Sequence, residues 1–408
     1  MQVREGSARS TGLLRPLAAG VIVSLFVGMA GGASAATLSI KGVVLDGLAN
    51  PRGMTFGADG WLYVTEAGAG GTGPSIIGGA GDTLSYGETG AITRWRAGSR
   101  ERVAENLPSL AAEGGFGATG VHDVTFYNGS LYTVFGFGGD PNQRDGLVAS
   151  TSNALLLGQV ARVIGGTVSP IADIAALERD GGPDDERNSN PYGLTSGPDG
   201  LFVADAGGND ILSVAEDGAV NPVTFIPPTP NPLPFGPPVY QSVPTGIGTA
   251  PDGTILVSEL TGFPFPEGAA RVLSVRPDGH LSTVATGFTN LIDLVVGSTG
   301  EIFALETDSD SLLNPGTTGS LFKILTDGTV ELLFDGLENP TGLAIGSDGT
   351  FYVGVNGLSP TGGQVLALAP SIAPVPLPAG LPLLLAGIGS LGYLGRRRRS
   401  GTGETCNP

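Results

Sequence analysis

The feature that most constrains this chain is a strand–turn–strand unit that returns six times. It reads "NPRGMTFGADGWLYVTEAG" from residue 50, "GVHDVTFYNGSLYTVFGFG" from 120 and "SNPYGLTSGPDGLFVADAGGND" from 189. It returns as "VPTGIGTAPDGTILVSELTG" from 243, "NLIDLVVGSTGEIFALETD" from 290 and "NPTGLAIGSDGTFYVGVNG" from 339. In each unit a short β-type run meets a tight Asp-Gly, Asn-Gly or Thr-Gly turn, and a second run follows. Glycine takes positive φ at little cost, which a two-residue hairpin turn requires. Two further runs around Asp-Gly come after some units, as in "RVLSVRPDGHLSTVATGF" and "SLFKILTDGTVELLFDGL", giving four strands per unit. Repeats of this size and content predict a propeller rather than a helical solenoid.

The ends of the repeat array predict closure. The sixth unit stops after "QVLALAP", one strand short, and "SIKGVVLDGLANP" ahead of the first unit looks like "TVELLFDGLENP", which closes the fifth. The N-terminal strand would then complete the last blade and leave no open sheet edge. The expectation is an all-β, six-bladed β-propeller of the NHL/lactonase-like kind over residues 36–370. The 69 glycines and 31 prolines suit so many turns.

Both flanks read as addresses. Arg4, Arg9 and Arg15 precede the apolar run "PLAAGVIVSLFVGMAGG" and an Ala33-x-Ala35 cleavage pattern, so residues 1–35 are expected to be an export signal. Residues 371–408 hold an uncharged stretch from Leu377 to Gly395, about long enough to span a bilayer as a helix, and then four arginines, Arg396 to Arg399. The Pro-rich entry "VPLPA" at Val375–Ala379, the short span and the arginine block together resemble the PEP-CTERM class of sorting signals. That resemblance implies an exosortase-type sorting enzyme as partner, besides the export machinery, and delivery to the envelope of a Gram-negative bacterium. The chain continues past the arginines with "SGTGETCNP", where such tails usually stop.

Charge and residue counts exclude several chemistries. A formal net charge of -18 argues against nucleic-acid binding, which demands clustered Lys and Arg. The single cysteine, Cys406, lies in the tail, so the folded part has no thiol nucleophile, disulfide or zinc cluster. Two histidines, His122 and His280, cannot build a multi-histidine metal site, and His280 falls in an outer turn. The glycine pattern at Gly115–Gly120 leads into a hairpin rather than a helix, which removes a dinucleotide site.

A hairpin brings the start of its first strand and the end of its second to the same end of the blade. Around one mouth of the channel the second-strand ends then read Glu66, Phe135, Asp205, Glu259, Glu306 and Asn356. The first-strand starts add Arg52, His122 with Asp123, Tyr192, Thr245, Asp293 and Thr341. Five of the six strand ends carry oxygen ligands (Glu66, Asp205, Glu259, Glu306, Asn356), a set that suits Ca²⁺. The same groups could orient a polar ligand, supply an acid and a base, or simply cap neighbouring loops. His122 beside Asp123 offers a candidate base, or else a buried histidine satisfied by backbone. Asn209, in the "GGN" exit of the third unit, is a candidate extra ligand, and Arg52, Tyr192 and Asp293 are candidate ligand contacts. In "ELTGFPFPEGAARV", Phe263 and Phe265 are stiffened by prolines and stand near Arg271; they could wall a ligand or pack one loop over the next.

"NPRGMTFGADGWLYVTEAGAGG", "GATGVHDV", "NSNPYG", "ADAGGND", "QSVPT", "ELTGFPFPEGAARV" and "GFTNLIDL" together resemble the ScyD/ScyE family of exported propellers, over roughly Leu45 to Gly357. The family assigns no chemistry. Three readings follow: an envelope-associated module that binds a small molecule, glycan or partner at an acidic mouth; a calcium-dependent, lactonase-like hydrolase with His122 as base; and a structural component of a surface matrix.

Overall fold

The computed structural model describes residues 38–371, apart from 184, 277 and 315–317. The expected export signal and nearly all of the sorting tail lie outside the described residues. No helix among the described residues is long and apolar enough to cross a membrane.

Six antiparallel sheets form a six-bladed β-propeller. Blade 1 runs from its inner strand Pro51–Phe56 through Leu62–Glu66 and Thr83–Arg96 to Ser99–Ala111, with Ser75–Ile77 added beside the third strand. Blade 2 holds Val121–Tyr127, Ser130–Phe135, Gln159–Ile164 and Thr167–Asp173; blade 3 holds Pro191–Gly197, Gly200–Asp205, Asp210–Val214 and Val220–Phe225. Blade 4 is Pro244–Thr249, Ile255–Glu259, Ala270–Val275 and Leu281–Phe288, and blade 5 is Leu291–Val296, Ile302–Glu306, Thr318–Ile324 and Val330–Glu338. Blade 6 takes Gly342–Ile345, Phe351–Val355 and Gly363–Pro370 from the end of the array and its outer strand, Leu38–Leu48, from the start. That last pairing is antiparallel, with Leu38 opposite Pro370 and Leu48 opposite Gly363, so closure is as the repeat ends predicted.

The hairpin turns explain the recurring Asp-Gly. Asn128 and Gly129 both sit at positive φ (47° and 73°), the conformation of a type I′ turn. In blades 1, 4 and 6 the turn aspartate accepts from the backbone two residues on: Asp59 from Trp61, Asp252 from Thr254 and Asp348 from Thr350.

The core is divided among the blade interfaces. Six apolar clusters fill the six junctions: Tyr63 with Val124, Val134 with Leu194, Ile211 with Val257, Val272 with Leu294, Leu305 with Val353, and Leu45 with Val64. A strand with both faces covered by neighbouring blades reads as a nearly continuous apolar run, which is what "LYV", "ILV" and "FYV" are. The inner strands of successive blades pack side by side, and that of blade 6 against that of blade 1.

Candidate functional site

The inner strand of each blade shows its free edge to the central axis, where no further strand can pair with it. Its backbone groups need partners from elsewhere. The chain supplies them through a β-bulge near the start of this strand. In blade 2, Val121 pairs with Phe135 and Asp123 with Val134, so His122 is the extra residue. The same irregularity falls at Tyr192 in blade 3 and Ile292 in blade 5, and across Arg52–Gly53 and Thr245–Gly246 in blades 1 and 4. A bulge re-aims side chains, and here it turns them toward the next blade and the axis.

Five of the six junctions are stitched at these residues. The Asp123 carboxylate accepts from its own strand at Val124 N–H (2.7 Å) and from blade 3 at Leu194 N–H (2.8 Å). Asp293 repeats this across the ring, accepting from Leu294 N–H and from Leu343 N–H of blade 6, both at 2.8 Å. Thr245 donates to the Leu291 carbonyl (3.1 Å), Thr341 to the Pro51 carbonyl (2.7 Å) and Thr65 to the His122 carbonyl (3.0 Å). Arg52, almost fully buried, donates to the carbonyls of Ala118 and Gly357, one on either side of its own blade.

His122 is part of this stitching. Its Nδ1 lies 3.1 Å from the Pro191 carbonyl and must carry the proton, while Nε2 faces the Thr119 hydroxyl at 3.0 Å. Burial and then the charge of Arg52 push its pKa down to about 3, so the ring is neutral. The Asp123 oxygens are held by Val124 and Leu194, and no hydrogen bond joins them to His122. The sequence-expected His–Asp base pair is therefore not assembled. The two residues lie next to each other in a strand and serve different neighbours.

Asp123, Tyr192 and Asp293 are only partly buried. Asp123 and Asp293 come from blades 2 and 5, on opposite sides of the ring, yet the charge of Asp123 raises the pKa of Asp293. Burial is the larger cause for both; it pushes Asp123 up to about 7 and Asp293 well above the ordinary carboxylate range. The Tyr192 ring lies against His122 at a tilt of 47° with ring centroids 4.7 Å apart, and burial lifts its phenol to about 12. Charges at Arg52, Asp293 and Asp123 also act on that phenol. The structure thus brings together Arg52, His122, Asp123, Tyr192 and Asp293 of the residues singled out from sequence.

The strand-end acids behave differently, each turning back into its own blade. Glu66 accepts from Ala49 N–H, the Thr93 hydroxyl and Arg102. Asp205 accepts from the Ser189 hydroxyl and from the backbone of Asn190, Gly207 and Gly208. Glu259 takes the Ser242 hydroxyl and a two-pronged contact from Arg271, at 2.6 Å from Nε and 2.8 Å from the second guanidinium nitrogen. Glu306 takes Thr289 N–H and the Ser309 hydroxyl, both at 2.6 Å. Asn356 is a turn residue at φ 51° whose N–H donates to the Glu338 carbonyl. Among the described residues no three His, Cys, Asp or Glu side chains stand together so as to hold a metal. The calcium group expected from Glu66, Asp205, Glu259, Glu306 and Asn356 is not formed. A buried carboxylate at a strand end collects the N–H and O–H donors of its own loop before it can reach the axis.

The remaining candidates also have structural duties. Asn209 is buried at φ 55° and accepts from Val243 N–H at the entry to blade 4. Arg271 belongs to Glu259. Phe263 is half exposed, and Phe265 meets it edge-on at 6.1 Å while its carbonyl accepts from the Ser311 hydroxyl of the next blade. One signal in the sequence was passed over. The equivalent positions near the start of the six inner strands run Gly53, Asp123, Gly193, Gly246, Asp293, Gly342, a Gly-Asp-Gly pattern written twice. A Cβ at Gly53 would run into the Asp123 carboxylate, and one at Gly246 into the backbone of Asp293.

No family model matches the chain, and no curated protein matches it in sequence. Among solved structures it is similar to a streptogramin B lyase at TM-score 0.46 and 17% identity, over 83% of this chain and 100% of that one. It is also similar to the PQQ-bound aldose sugar dehydrogenase of Streptomyces coelicolor, at TM-score 0.48 and 14% identity over 82% and 98%. A gluconolactonase of Xanthomonas campestris gives TM-score 0.42 and 12% identity over 81% and 98%.

Proposed function

We propose that this chain is an exported, envelope-associated propeller of the ScyD/ScyE kind that works as a binding module, and that its ligand is a small hydroxyl-rich molecule, such as a sugar or the end of a glycan, taken on the axis. One observation carries the reading. Two carboxyl groups from opposite blades, Asp123 and Asp293, are anchored by backbone donors yet keep open surface beside the Tyr192 phenol. Burial raises both carboxyls, Asp123 to about 7 and Asp293 well above the ordinary carboxylate range, which favours a pair that offers a donor and an acceptor over one holding two full charges. Vicinal hydroxyls, each both donor and acceptor, match that pair. The basic and apolar ends of the chain support export, and they lie outside the described residues.

Calorimetric titration with D-glucose, D-galactose, D-glucuronate and myo-inositol tests the reading. Saturable binding of at least one, weakened tenfold or more in Asp123→Asn and Tyr192→Phe, is the expected result. Binding that survives both substitutions, or none with any of the four, rejects the axial site.

A further inference from the structure

Four blades end their second strand in a buried acid, and two of these acids are neutralised by an arginine of the same blade: Glu66 by Arg102 and Glu259 by Arg271. Strand register identifies the corresponding places in blade 5. In blade 4, Ser258 pairs with Val272, which sets Arg271 beside Glu259; in blade 5, Leu305 pairs with Leu321, which sets Ser320 beside Glu306. In blade 1 the arginine comes from the outer strand, where Arg102 pairs with Thr93 and Thr93 with Val64. The same steps in blade 5 lead from Ala304 to Phe322 and on to Leu332. Neither arginine position of blades 1 and 4 holds a cation in blade 5.

A cleft of about 670 Å³ opens at this place. Ser320, Phe322 and Leu332, the residues at or beside those two positions, line it together with Glu306, Asp310 and Asp335. Glu306 is buried at the floor, and each of its oxygens accepts one hydrogen bond, from Thr289 N–H and from the Ser309 hydroxyl. A carboxylate oxygen can accept twice, and Glu259 shows the completed set: its Oε1 takes both the Ser242 hydroxyl and a guanidinium N–H. Leu332, half exposed, and the partly buried Phe322 supply an apolar wall for an aliphatic stem.

From this we infer that the blade 5 cleft is a guanidinium-binding site, in which Glu306 takes the planar fork of an arginine-type ligand as Glu259 takes that of Arg271. A planar fork with parallel N–H donors is the group whose geometry suits a carboxylate in two-pronged contact. Asp308 on the same loop and Asp310 and Asp335 on the walls add negative charge around the floor. The inference stands apart from the axial reading and uses none of its residues.

Titration of the full chain with n-butylguanidinium, against n-butylurea as the uncharged isostere, tests it. Saturable binding of the guanidinium alone is expected, with affinity about tenfold lower or worse in Glu306→Gln. Ser320→Arg copies blade 4, and its own guanidinium should occupy the carboxylate and abolish binding while the fold is kept. Equal binding of butylurea, no saturable binding of butylguanidinium, or undiminished binding in folded Ser320→Arg overturns the inference. Free arginine and N-acetyl-arginine amide separate the sources: equal binding indicates an arginine side chain of a partner protein, and binding of the free amino acid alone indicates a metabolite. Variants at Asp123 or Tyr192 should leave all of these titrations unchanged, so the two sites fail or stand separately.

Discussion

Raising the pH from 5 to 7 should destabilise this protein, against the usual course for an acidic chain. Burial holds Asp123 and Glu306 near pKa 7, from ordinary values of 3.8 and 4.5. An acid whose folded pKa is raised contributes stability that is complete below its unfolded pKa and is lost as pH climbs to the folded one. Each such group loses about 1.4 kcal/mol per pH unit, so the two together lose about 5 kcal/mol between pH 5 and 7. Asp293 and Asp205, also raised by burial, act in the same sense. His122 opposes them. Its folded pKa of about 3 lies below the ordinary 6.5, so the unfolded chain takes up a proton there as pH falls, and stability rises by about 2 kcal/mol from pH 5 to 6.5. The net expectation is a loss of about 3 kcal/mol or more. Urea unfolding at fixed ionic strength and pH 5, 6 and 7 reads it directly, and Glu306→Gln should flatten the slope by about 1.4 kcal/mol per unit. Stability that is flat or rising across this window would refute the burial-raised pKa of the carboxyl groups at the axis and in blade 5.

Other consequences are open to simple measurement. Arg271→Ala leaves the buried Glu259 carboxylate without its cation and should cost about 3–5 kcal/mol in urea unfolding, part of which Glu259→Gln in the same chain should restore. Leu305→Ala, in the junction of blades 5 and 6, should cost about 2–5 kcal/mol, the range for a buried leucine. Gly53→Ala places a methyl group against the Asp123 carboxylate, so it should lower the melting temperature and shift the pH dependence, whereas Gly129→Ala, at a turn with open space, should show only the strain of positive φ. Deleting residues 38–48 exposes the edge of Gly363–Pro370 and should increase self-association over the full chain, as read by light scattering.

Much of the architecture was legible because its causes are local. Asp-Gly and Asn-Gly turns, apolar runs of strand length and their recurrence are properties of short segments, and the likeness of "SIKGVVLDGLANP" to "TVELLFDGLENP" is enough to pair Leu38–Leu48 with the last blade. The grouping of Arg52, His122, Asp123, Tyr192 and Asp293 at one end of the ring follows from the same reasoning, since a hairpin fixes which end of a blade each strand start occupies.

Direction was not legible. Glu66, Asp205, Glu259 and Glu306 stand at strand ends that could equally have faced the axis, and the outcome depended on donors that blade folding brings beside them, such as Arg102 of the outer strand for Glu66 and Ser242 of the entry loop for Glu259. Asp123 and Asp293 look like ordinary strand residues, 170 positions apart, until ring closure sets blades 2 and 5 opposite each other. By itself, then, the sequence determined the blade, its turns and the number of blades, because backbone conformation and apolar pattern act over a few residues. Only the tertiary structure decided which acids are spent within a blade and which keep open surface, because that choice rests on competition among hydrogen-bond donors that closing the ring brings together.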